Sequence, residues 1–106
     1  MLARGRAAIV TLMRSFLDAC GPTQHLLGNL LIEVAGTAAH SRCYVSDLHV
    51  GQGEKAHLTF QTLGEYHDRW QCRAGVWWLT ERIKLNRAHI GSFAVLGPGA
   101  ENWNAS

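Results

Sequence analysis

The side chain best suited to chemistry in this 106-residue chain is His25. An imidazole has a reference pKa of about 6.5, so it can take a proton at neutral pH when a partner holds its tautomer. No carboxylate elsewhere in the sequence is assured of reaching it. Two readings therefore stand, a general base and a histidine hydrogen-bonded within a pocket or core. Asn29 and Arg42 could bind a ligand carbonyl or hydroxyl, or satisfy each other. Tyr44 shares their strand face, and Tyr66 and Arg82 are candidates for shaping the same cavity. Asp68 reads as the partner of a nearby Arg in a structural ion pair. Trp70, Trp77 and Trp78 stand beside a turn, where tryptophans fill a core or interface more often than they stack on a ligand.

Six histidines raise the question of a metal. Glu65 and His67 fall two apart on one strand face, but no third ligand follows at a metal-binding spacing, so neither a metal nor a cofactor is expected. Phosphate loops, nucleophile elbows and paired catalytic carboxylates are absent from the sequence. Cys20, Cys43 and Cys72 are odd in number, far apart and without a CxxC pair, which suits a reducing cytoplasm better than a disulfide framework. A net charge of +2, spread along the chain, gives no field for nucleic acid. The basic residues before Ala7 to Met13 resemble a signal peptide at first sight, yet Arg14 and Asp18 break the apolar run. No stretch approaches the roughly 20 residues that cross a bilayer.

These residues need elements to position them. With 47% hydrophobic and 17% charged residues, the chain suits one globular domain. Ile9, Leu12, Met13, Phe16, Leu17 and Cys20 follow helical spacing, which predicts an amphipathic helix over about 4–20 that stops at Gly21-Pro22. From Thr23 the period becomes two. Four strands are expected, over about 24–34, 37–50, 56–70 and 76–89, with two-residue loops at Ala35-Gly36 and Ala74-Gly75. The fold class is α+β, a curved four-stranded antiparallel sheet with one packed N-terminal helix. A turn at Ala35-Gly36 pairs Asn29 with Arg42, Leu27 with Tyr44 and His25 with Ser46, so that His25, Asn29, His40, Arg42 and Tyr44 share one face. Both sheet faces want cover and one helix shields only one of them, so a homodimer through the sheet is expected. The tail, 91–106, lacks periodicity and is expected to wrap the surface or a neighbour.

Four segments, Thr23 to Asn29, Ala39 to Tyr44, Gly64 to Arg69 and Trp77 to Arg82, resemble in order and spacing the SnoaL-like proteins of the nuclear transport factor 2-like superfamily. Arg4-Gly5-Arg6 is similar to that family's lead into its last N-terminal helix. The resemblance implies a partial cone-shaped α+β barrel, usually dimeric, with a cavity for a small apolar or ring-containing ligand. It further implies that His25 matches a general base and that Arg82 matches an arginine assisting the leaving group. The family's orienting Asp, carried on an earlier helix, has no counterpart in this sequence. The expected function is therefore small-molecule binding without catalysis, the alternative being a cofactor-independent lyase, isomerase or hydrolase in which His25 takes the proton and Arg82 steadies negative charge.

Overall fold

Alternating β-branched, aromatic and polar residues build four long strands in the computed structural model, which describes residues 2–99. In chain order the elements are α1 (Arg6–Leu17), β1 (Thr23–Ala35), β2 (Ala38–Val50), a 3-10 turn (Gly53–Lys55), β3 (Thr59–Arg73), β4 (Val76–Gly91) and a second 3-10 turn (Phe93–Val95). The strands pair antiparallel in the order β1-β2-β3-β4, a curved and unclosed sheet. Among the described residues no helix is long and apolar enough to cross a membrane.

The central pair, β2 with β3, runs without interruption from Ala38↔Gln71 to Val50↔Thr59. Its alternation fixes an inner face, with Ser41, Cys43, Val45, Asp47 and His49 of β2 buried beside Phe60, Thr62, Tyr66 and Asp68 of β3. The β3–β4 loop is Ala74-Gly75, with φ of 51° and 77° at its two residues, the left-handed pair that suits a right-twisted hairpin.

The first hairpin departs from expectation. Its loop is Gly36-Thr37, closed by Ala35↔Ala38, and the register then shifts between Gly28 and Leu31. Two residues of β1, Asn29 and Leu30, stand there against Cys43 alone, and Asn29 has φ 53°. This is a β-bulge, in which an asparagine tolerates the left-handed conformation better than most side chains. The expected pairs do not form. Arg42 opposes Leu31, Tyr44 opposes Gly28, and His25 opposes Asp47. Because side chains alternate with period two, the extra residue moves His25 to the inner face while Arg42 and Tyr44 remain on the outer one.

The helix is shorter than expected, ending at Leu17 with Asp18 as its cap. None of its residues is buried, and Ile9, Val10 and Met13 stay 45 to 49% exposed. Only its last turn is seated, with Phe16 and Leu17 packed against Cys20, Phe60, Val95 and Leu96. The tail therefore does more than wrap the surface, since Val95 is fully buried and Gly97 donates its N–H to the Phe16 carbonyl at 2.8 Å. Residues 100–106 of that tail lie outside the described residues. With the helix confined to one end, most of the sheet is uncovered, and β1 is exposed along its whole length.

The bulge carries a first test. Asn29→Val should lower stability in urea unfolding by about 1–2 kcal/mol, the cost of a β-branched residue in the left-handed region, whereas Asn29→Gly should change it by less than about 0.5 kcal/mol.

Candidate functional site

Asp47 and His49 are two apart on β2 and so share the inner face, and the bulge brings His25 of β1 directly opposite Asp47. Thr62 opposes Asp47 from β3. Lys84 of β4 reaches in from the far side. Four side chains, one from each strand, thus converge around one carboxylate.

The Asp47 side chain is only 5% exposed, and its oxygens are divided between neighbours. Oδ1 accepts the Thr62 N–H at 3.2 Å and the Thr62 hydroxyl. Oδ2 accepts from Lys84 Nζ at 2.5 Å, and the same ammonium donates to Thr62 Oγ1 at 2.8 Å. His49 Nε2 and His25 Nε2 lie 3.9 and 4.0 Å from Oδ2. Those separations allow charge attraction but exceed hydrogen-bond length. The two imidazoles meet edge to face with ring centroids 5.8 Å apart, and His49 stacks on Phe60.

Burial alone would raise the Asp47 carboxyl. Hydrogen bonds from Lys84 and Thr62, with the charges of Lys84 and His49, outweigh it and hold the group below the usual carboxylate range. His49 moves the other way from an ordinary ion-pair partner. Desolvation lowers its pKa, and the Asp47 charge only partly offsets this. Its Nδ1 is buried without a partner.

Further along the inner face, Arg82 donates to Asp68 through Nε at 2.9 Å and a terminal nitrogen at 3.0 Å. Its guanidinium lies 3.9 Å from the centre of the Tyr66 ring. Burial raises the Tyr66 hydroxyl pKa, which keeps it a neutral donor. Trp70 donates its indole N–H to Ser41 at 3.0 Å.

Of the residues singled out in the sequence, His25, Tyr66 and Arg82 come to the inner face. Asn29 serves as the bulge residue, and Arg42 and Tyr44 belong to the outer face, so these three do not join His25. Tyr44 instead lines a groove of about 410 Å³ with Leu26, Leu63 and Arg87. That groove lies on the side of the sheet opposite the polar cluster. Asp68 does pair with an arginine, as its type suggested. Asp47, His49, Thr62 and Lys84 went unread. The signal for them was the Asp-x-His spacing at 47–49, which acquires meaning only when the true register sets His25 across from it.

An unclosed, curved antiparallel sheet with a helix at one end, and a polar row on its inner face, defines the nuclear transport factor 2-like class. The SnoaL-like domain model matches residues 2–83, and the chain belongs to that family. It is similar to the crystal structure of a type 2 hexachlorocyclohexane dehydrochlorinase, with a TM-score of 0.73, 16% identity, and 85% of this chain and 61% of that one covered. A protein of Novosphingobium aromaticivorans, provisionally described as an aromatic ring hydroxylase, is similar at a TM-score of 0.74 and 19% identity, covering 87% of this chain and 64% of that one. The chain thus spans under two thirds of the length of these neighbours. At these identities the likeness shows the fold. No curated protein matches the chain.

Both shifted groups at the cluster give stability the same pH sign. The pKa of His49 is depressed by folding, so its contribution is intact above its unfolded value of about 6.5 and falls as pH drops below it. The depressed Asp47 pKa adds a further loss below about pH 3.9. Urea midpoints should therefore decline from about pH 7 to 5 and again towards pH 3. His49→Phe should flatten the first decline while leaving the second.

Proposed function

We propose that the inner face binds a small, ring-containing apolar molecule bearing a hydroxyl or carbonyl group. The observation that supports this most is the composition of the face. Val45, Cys43 and the ring of Tyr66 make an apolar floor. His25, Lys84 and Arg82 are partly exposed along it, at 35, 26 and 42% of their side chains, as donors or acceptors for polar ligand groups. Asp47 and Asp68 keep both cations neutralised, which suits a neutral ligand better than a charged one.

Binding without turnover is favoured by the state of the carboxylate. A general base needs its tautomer fixed, and Asp47 is committed to Lys84 and Thr62 while His25 stands 4.0 Å away. The alternative, proton abstraction by His25 in a lyase, is supported by the same carboxylate lying behind the imidazole, from which one side-chain adjustment separates it. The test uses 2-naphthol as a ring-plus-hydroxyl probe, followed by amide shifts. Inner-face positions such as Thr62 and Tyr66 should move and outer-face Leu63 and Glu65 should not; the reverse pattern, or no shift, would remove the proposal. Chloride release from hexachlorocyclohexane, abolished by His25→Ala, would decide for the lyase.

The reading includes a second copy of the chain. Leu26, Leu30, Ile32 and Val34 of edge strand β1 are 57 to 62% exposed. An edge strand this apolar is a site for association. Sedimentation equilibrium should give a dimer, and Ile32→Lys should shift it towards monomer; a wild-type monomer at micromolar concentration would count against it.

A further inference from the structure

Two nitrogens and one oxygen at the inner-face cluster converge without being bonded to one another. Ligand atoms of His25, Asp47 and His49 all lie within 4.8 Å of each other. We propose that these three side chains bind a single divalent first-row transition-metal ion, of the class that accepts two imidazoles and a carboxylate, Zn²⁺ or Co²⁺ being examples. Around such an ion, with bonds of about 2.0–2.1 Å, ligand atoms stand roughly 3.4 Å apart. The observed 3.9 and 4.0 Å from Asp47 Oδ2 to the imidazoles require an inward adjustment of about half an ångström, and the two imidazole nitrogens, within 4.8 Å of each other, one of up to about 1.4 Å.

The surroundings supply what a metal site needs. Thr62 holds Asp47 Oδ1 through both its N–H and its hydroxyl, leaving Oδ2 directed at the imidazoles, the supporting role that outer partners play at metal centres. His49 is nearly buried, and its Nδ1 has no partner, so no other hydrogen bond ties the ring to a different task. Three protein ligands leave at least one coordination position open, and His25, with 35% of its side chain exposed, connects the cluster to solvent. The arrangement also explains the position of Lys84. Its ammonium neutralises Asp47 from the place an incoming cation must claim, and its side chain is 26% exposed, giving it a route to solvent. The ion and Lys84 are thus competitors for one oxygen.

This goes beyond the ligand-binding reading and uses a different readout. Co²⁺ titrated into the full chain should bind one equivalent and develop visible absorption of a nitrogen- and oxygen-ligated centre. His25→Ala, at an exposed edge strand that tolerates change, should weaken binding by at least about 100-fold, more than the loss of a supporting residue alone. His49→Ala should do the same if circular dichroism shows it folded. Lys84→Met, shown folded by circular dichroism, should tighten binding about tenfold or more by removing the competitor. His67→Ala on the outer face should leave it unchanged. No binding at ~1 mM Co²⁺, binding insensitive to His25, or weaker binding in Lys84→Met would each overturn the site. Failure of the naphthol experiment would leave these measurements untouched.

Discussion

One buried carboxylate organises the inner face. Asp47 sits at the middle of a four-stranded sheet with 3% of its surface exposed, where an uncompensated charge would cost several kcal/mol. Thr62 and Lys84 supply the compensation from β3 and β4, and both imidazoles lie near it from β1 and β2. Removing one partner of such a pair typically costs about 3–5 kcal/mol because the other is left buried and alone. The cluster therefore ties together all four strands, and any chemistry on this face works around a charge the fold already needs to satisfy.

Much of the fold was legible in alternation. Period-two runs marked the strands, Ala74-Gly75 marked a tight hairpin, and their order marked a meander. The site was less legible, for a definite physical reason. A single left-handed residue, Asn29, inserts one position into β1, and with a period of two one position is the whole difference between faces. The sequence pattern near the turn assigned Arg42 and Tyr44 to the face of His25. Beyond the bulge His25 is on the opposite face, beside Asp47 and His49. Asparagine gives only a weak warning of this, since it is common in turns and caps as well as in bulges.

The end of the sheet tells a similar story. Helical spacing over Ile9 to Cys20 was correct about the kind of element and carried no information on how much of it is covered. Apolar periodicity shows which side of a helix seeks a partner and is silent on where the partner lies. Here only Phe16, Leu17 and the following Cys20 find one, and the seat includes Val95 and Leu96 from a segment without periodicity. A 3-10 turn of three residues leaves no repeating signal, yet it carries the most buried side chain of that core.

The two carboxylate–cation pairs on the inner face look equivalent and behave differently. Arg82 meets Asp68 with two parallel hydrogen bonds and lies flat over Tyr66, and the bond to Asp68 is the main cause of its raised pKa. A planar fork bound on both prongs and stacked below has little freedom left. Lys84 holds Asp47 and Thr62 as a point charge on a flexible stem, and it can exchange either acceptor by rotation. Arg82, the cation that the sequence put forward, is the one bound into the framework. Lys84, which lies one residue past the end of the family match, keeps more rotational freedom at Asp47. How rigidly each pair is held is thus set by the geometry of its counter-ion more than by the number of charges it contains.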